Sequence, residues 1–458
     1  MRTLFPFILR GLILNLGFVL WLSSAPPANA AGINLIRDSE IERTIRTLAT
    51  PIFKAAGLHP GDVKIYLVND NTLNAFVAGG QNIFINTGLI LRSETALQLV
   101  GVIAHETGHI QAGDLSRTPQ ELAKAKMYGI LTSVLGLAAA VGTGRADLGE
   151  AIILGGQGTG QRAFLKYSRT QEAAADQAAM RLMDAAGESS EGLLQFLNIL
   201  ERQEKLSLGH PNPYLLSHPL SRERVEALAQ HVAHSPFSTV PIPPEVHAMF
   251  ARMKAKLFAF LNPPAATLRR YPTTDTSLPA RYARAIAAYR TPDLPKALDE
   301  IDALIKGHPK DGYFWELKGQ MLFENAKVPE AIVAYRRAAE LLPKAYLIRN
   351  DLARALLEAG DPNLLQEAID DFKTSLNDEA DQPFIWRQLG IAYGRKGDLG
   401  QSALALGEAA LRSGDTSEAI YHANKAQGLL PHGSRGWLHA QDLLDAAHQA
   451  SKDSGKAR

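Results

Sequence analysis

Two histidines four residues apart with a glutamate beside the first, His105-Glu106-Thr107-Gly108-His109, are the residues of this chain best suited to chemistry. On a helix, positions i and i+4 share a face, so both imidazoles reach one metal ion. Glu106 then stands where a general base toward a water molecule is needed. Leu97, Leu99, Val100, Val102 and Ile103 precede the motif and give its helix a buried setting. A catalytic zinc site takes three protein ligands and keeps one position open. The chain has no cysteine, so the third ligand is His, Asp or Glu. The run Thr170-Gln171-Glu172-Ala173-Ala174-Ala175-Asp176-Gln177 is an alanine-rich helix pattern with Glu172 and Asp176 one turn apart. Carboxylates on such a face are costly unless paired or metal-bound. Glu172 would complete a His2Glu set for one Zn2+, and Asp176 would accept a hydrogen bond from the far ring nitrogen of a ligand histidine. The competing reading of that run is a solvated acidic helix face.

Several elements must position these groups. Ile41 to Phe53 has the apolar spacing of a helix, and Val63 to Val68 alternates as a strand. Two further strands, 74–78 and 82–86, flank the Gly79-Gly80 turn. Residues 31–235 are expected to form one mixed unit. Within it, the apolar stretch at 128–160 is too short to cross a bilayer, and it reads as a buried helical hairpin, a mobile lid or a membrane-surface element. Prolines at 236, 241, 243, 244, 263 and 264 mark a junction over 236–275 that holds one helical stretch. From 276 to 450 the sequence repeats: Ala297 and Ala331 lie 34 positions apart, as do Pro309 and Pro343. Trp315, Gly319, Ala331, Tyr335, Ala338 and Pro343 sit at the offsets of a tetratricopeptide repeat (TPR), with an insertion near Pro362. Four or five helix pairs are expected, and 451–458 is expected to be a disordered tail.

The N-terminus carries Arg2 and Arg10, an apolar core of about a dozen residues, then Ala28-Asn29-Ala30, which reads as a cleaved signal peptide over 1–30. Export to an oxidising compartment agrees with the lack of cysteine. Hydrophobic residues at 46%, charged residues at 21% and a net charge of +1 describe an ordinary folded protein without a basic stripe, which excludes nucleic acid as a partner.

HExGH on one helix, with an ExxxD helix roughly sixty-five residues further on, resembles the gluzincin peptidases of the HtpX and CAAX-prenyl endopeptidase type. Asn74-Ala75-Phe76 is similar to the edge-strand motif of that family, and Ser217-His218-Pro219 followed by Arg222 and Arg224 to its late His-Pro…Arg motif. A signal peptide with C-terminal repeats resembles the periplasmic, BepA-like branch. The resemblance covers nearly the whole mature chain. It implies an α+β zincin-like metalloprotease domain, mostly helical with a small sheet, followed by an all-α TPR solenoid. It further implies zinc on His105, His109 and Glu172, Glu106 as base and acid, Asp176 behind the ligands, and substrate pairing along the strand near Phe76. His218 is the expected fourth ligand or latch, with His210 as its competitor. Arg222 and Arg224 would stabilise the oxyanion or pair with acidic groups. The partners implied are unfolded or stalled outer-membrane protein clients and, through the TPR domain, the outer-membrane assembly machinery; peripheral membrane contact is a further expectation. The function implied is quality control, assisting assembly and degrading chains that stall. Two other readings compete: a repeat chaperone whose zinc site is latent or structural, and a membrane-embedded protease, which the missing long apolar spans oppose.

Overall fold

The computed structural model describes residues 34–78, 80–113, 169–206, 214, 218–377 and 380–456. The expected signal peptide, the 128–160 hairpin and His210 lie outside the described residues. Helix α1 (Ser39–Ala55) begins where Asp38 accepts a hydrogen bond from the Ile41 amide, and it buries Ile41, Ile45, Leu48, Ile52 and Phe53. A four-stranded sheet of order β1-β2-β4-β3 follows, from β1 (Leu35–Ile36), β2 (Lys64–Val68), β3 (Ala75–Ala78) and β4 (Asn82–Asn86). β2 pairs in parallel with β4, while β3 pairs antiparallel, with Phe76 opposite Phe84. The Tyr66, Phe84 and Phe76 rings stack along one face, with 5.0 Å between the centroids of neighbours. The other face turns Leu67, Val77, Ile83 and Ile85 into the core.

A short helix α2 (Thr87–Arg92) leads into α3 (Ala96–Ala112), which is buried almost all round from Ala96 to His109. Such a helix belongs in a domain centre. Residues 169–186 form α4, followed by α5 (Glu191–Leu206) and α6 (Arg222–His234). All of these contribute to one core with α1 and the sheet.

The proline-rich junction is more structural than its composition suggests. Pro244 and Pro264 stand at the first turns of α7 (Pro244–Leu261) and α8 (Pro264–Arg270), where a missing N–H costs nothing. α7 gives Phe250, Met253 and Leu257 to the first core, and Ala255 and Ala259 to the core of the helices that follow. It also carries two cations that face the first domain, Lys256 buried and Arg252 partly buried. Lys256 Nζ lies 2.8 Å from Asp38 and 3.3 Å from Glu40, and Arg252 Nε lies 2.5 Å from Glu40. Arg252 also pairs with Asp311, and the Tyr282 hydroxyl donates to Glu40 at 3.0 Å. From Ile36 onward the described residues accordingly form one compact unit.

The rest is a solenoid of five helix pairs: α9 and α10 (Leu278–Tyr289, Leu294–Gly307), α11 and α12 (Gly312–Glu324, Val328–Leu341), α13 and α14 (Tyr346–Glu358, Leu365–Leu376), α15 and α16 (Pro383–Lys396, Leu399–Arg412), α17 and α18 (Thr416–Leu429, Arg435–Lys456). A 3-10 turn at Pro362–Leu364 absorbs the insertion that shifts the repeat frame. A methyl group on Gly319 would stand 2.7 Å from the Tyr335 ring, so the paired helices of that repeat meet at a position only glycine allows. The final helix runs on to Lys456, through most of the stretch expected to be a disordered tail. Ala447 is fully buried just before it, and Gln449 bonds Asp453 one turn on at 3.1–3.2 Å, which carries the helix past residue 450. Among the described residues, no helix is long and apolar enough to cross a membrane.

Candidate metal centre

α3 presents His105 and His109 on one face, with their Nε2 atoms 3.2 Å apart. α4 crosses it and supplies Glu172 and Asp176 from adjacent turns. Glu172 places Oε2 3.3 Å from His105 Nε2 and Oε1 3.4 Å from His109 Nε2. His218, just before α6, adds Nδ1 at 3.1 Å from Glu172 Oε1 and 3.4 Å from His105 Nε2. One ligand atom from each of His105, His109, Glu172 and His218 lies within 4.8 Å of all the others, and all four residues are buried. Donors about 2.0–2.1 Å from a tetrahedral ion stand roughly 3.3–3.4 Å apart. The separations here, 3.1–3.4 Å, have that scale.

The surrounding groups fix this arrangement. Asp176 Oδ1 lies 2.9 Å from His105 Nδ1 and accepts a hydrogen bond from its N–H, so the Nε2 lone pair faces the other donors. Arg224 grips Asp176 with two bonds, at 2.5 and 2.9 Å, donates to the Pro219 carbonyl at 2.8 Å, and stands 3.0 Å from Glu172 Oε2. Burial alone would raise the Glu172 and Asp176 carboxyls. The histidines hold Glu172 well below the usual carboxylate range, and Arg224 with His105 does the same for Asp176. Burial would lower His105, but its bonds to Asp176 and Glu172 outweigh that and raise it. Glu172 and Asp176 share one arginine, Arg224, so a negative charge is left in the centre for a bound cation to offset.

Glu106 is 1% exposed, and neither carboxylate oxygen has a hydrogen-bond partner among the described residues. The nearest cation-forming group is His218, whose Nε2 lies 3.6 Å from Glu106 Oε1. An unpartnered buried carboxylate is a costly feature of the kind that marks a reaction site.

The two arginines of the late motif part company. Arg224 is buried in the site, whereas Arg222 is exposed and pairs with Glu226 at 2.6 Å. Asn74, Ala75 and Phe76 lie at and just before β3, the edge strand, with the Asn74 carbonyl accepting from the Asn86 amide at 3.0 Å. Two contributors escaped the sequence reading. Tyr214 is buried and stacks its ring on His218, centroids 4.5 Å apart; only its closeness to the His-Pro motif hinted at this. Gly108 lets α4 approach: a Cβ there would stand 2.9 Å from the Ala175 carbonyl oxygen and 3.1 Å from Ala178 Cβ. Replacing it with valine should push Glu172 away from the histidines and weaken divalent-metal retention by about 10–100-fold, as lost positioning groups do. Metal content after dialysis, read beside the unfolding midpoint, checks this; full retention would show that the close approach is dispensable.

An HExxH helix crossed by a second helix that supplies a glutamate defines a metallopeptidase centre. Residues 36–232 match the family model described as Peptidase family M48, in agreement with a metallopeptidase centre. Over its length the chain is similar to the beta-barrel assembly-enhancing protease of Escherichia coli strain K12, 25% identical over 87% of this chain and 81% of that protein. The protein of the same name from Yersinia pestis is 23% identical over 85% and 80%, and the putative one from Vibrio cholerae 23% over 87% and 82%. Similar solved structures include MamA, 18% identical over 36% of this chain and 92% of that one with a TM-score of 0.31. The TPR domain of P58(IPK) is 13% identical over 73% and 99%, with a TM-score of 0.18.

Proposed function

We propose that the protein is a zinc-dependent endopeptidase of the bacterial periplasm, acting in outer-membrane protein assembly and quality control. The observation that carries the catalytic part is the convergence of His105, His109, Glu172 and His218 within 4.8 Å, beside the buried and unpartnered Glu106. Zinc held by His105, His109 and Glu172 would supply a Lewis acid for the scissile carbonyl and for water. Glu106 takes the proton of the attacking water and passes it to the leaving amine. Asp176 holds the His105 tautomer, and Arg224 holds Asp176. The β3 edge at Asn74, Ala75 and Phe76 receives the substrate backbone as an added strand. The setting rests on the name shared by the relatives and on the export signal read from the sequence. In it, the repeats engage the assembly machinery, and the peptidase domain degrades clients that stall.

As the fourth ligand, His218 would close the open metal position and hold the enzyme latent. His218→Ala should therefore raise basal cleavage of an unfolded casein substrate several-fold while zinc stays bound. Unchanged or lower activity, with zinc content intact, counts against the latch. A four-ligand set is also what a structural zinc site has, which supports a second reading, a repeat chaperone with a closed metal site. Chelator-sensitive hydrolysis by the purified protein decides between them, because a structural site leaves Glu106 without a role.

A further inference from the structure

Glu316 in α11 and Asn350 in α13 stand one 34-residue repeat apart, at the same position of successive units. Equivalent positions face the same side of a solenoid. Both residues are only 9% exposed, and both line a cavity of about 570 Å³ between the repeats and the start of the peptidase domain at Asp38 and Ile41. The lining is rich in acceptors, most of which are already engaged. Asp38 pairs with Lys256 at 2.8 Å, Asp351 with Arg354 at 3.3 Å, and Glu324 accepts from Tyr289 and from Gln320. Glu316 Oε2 and Asn350 Oδ1 have no hydrogen-bond partner among the described residues, and Lys256 Nζ stays 3.8 Å from the former.

Buried acceptors without donors are costly, and a positively charged group with several N–H donors offsets that cost for both. Burial pushes the Glu316 carboxyl up to about 8, and a cation seated beside it would favour its charged form. At the mouth Phe384 is 47% exposed, and the Arg354 guanidinium already lies 5.4 Å from its ring and 5.5 Å from that of Phe323. Aromatic walls of this kind accept the stem and head of a long cationic side chain. The volume exceeds what one side chain fills, which leaves room for the backbone that carries it.

We propose that this cavity binds a lysine or arginine side chain presented by an extended segment of a partner protein, with Glu316 and Asn350 as its acceptors. The inference refines the partner-binding part of the proposed function, rests on that part, and is independent of the catalysis. A bound segment would touch the repeats and the first residues of the peptidase domain together.

The test uses the full chain carrying Glu106→Gln, so that probes survive, and a fluorescent Gly/Ser/Thr nonapeptide with one central lysine. Fluorescence anisotropy should show the lysine peptide and its arginine twin binding at least about tenfold tighter than the norleucine twin. Asn350→Leu should erase that preference at an unchanged unfolding midpoint. Asn350→Asp, nearly the same shape with an added charge, should strengthen it and decides the matter if the leucine variant fails to fold. Equal binding of lysine and norleucine peptides overturns the cation site while leaving general segment capture standing, and no binding of any peptide removes both. Putrescine displacing the lysine peptide at equal concentration would make this a free-amine site and overturn the peptide assignment.

Discussion

Glu106→Gln should leave the purified protein with its full complement of metal and its wild-type unfolding midpoint, yet slow hydrolysis of unfolded casein by roughly a thousandfold or more. The size follows from what a positioned general base contributes, about 10²–10⁴-fold. Retention of fold and metal follows from the geometry. Glu106 makes no hydrogen bond that glutamine would break, and it is not one of the four residues whose ligand atoms converge. An amide of the same shape leaves the packing unchanged, so the unfolding midpoint should stay near that of the parent. Wild-type turnover by the glutamine variant would remove Glu106 from the reaction.

Glu172→Ala should have the second large effect, this time on the metal. Its carboxylate lies 3.1–3.4 Å from His105, His109 and His218, so it approaches all three imidazoles of the centre. Without it the site keeps three imidazoles and loses the one anionic ligand, while Arg224 stays paired with Asp176. The loss of metal affinity should exceed the roughly 10–100-fold expected for Asp176→Asn, where only the support of His105 is weakened. Competition with a coloured chelator ranks the two variants. Equal affinities would mean that Glu172 is not a ligand, and hydrolysis should fall in step with the metal.

Much of this centre was legible because it obeys helical spacing. His105 with His109, and Glu172 with Asp176, are i, i+4 pairs whose shared face follows from geometry alone. Three of the four strands followed from alternation and a glycine turn, the edge placement of β3 from the family resemblance, and the repeats from a fixed period, while the two-residue β1 is too short to show any alternation. What spacing could not supply was contact between distant segments. Arg252 and Lys256 meet Asp38 and Glu40 from more than two hundred residues away, so α7 read as a junction helix instead of an element shared by two cores. The different fates of Arg222 and Arg224 were closer to hand. Once Ser221 caps α6, two residues along a helix means nearly opposite faces, so one arginine faces solvent and the other faces the site. Gly108 carried its signal openly as the small residue of HExGH, but its purpose appears only when α4 is laid against it.

Catalysis of the proposed kind depends most on His105, His109 and Glu172 holding one zinc ion. Anomalous diffraction from crystals of the purified protein, recorded on both sides of the zinc absorption edge, tests this directly. The expected result is a single peak within about 2.0–2.2 Å of His105 Nε2, His109 Nε2 and a Glu172 carboxylate oxygen. A peak bound by other residues, or well-ordered side chains at these three positions with no zinc signal from protein never exposed to chelator, would contradict it.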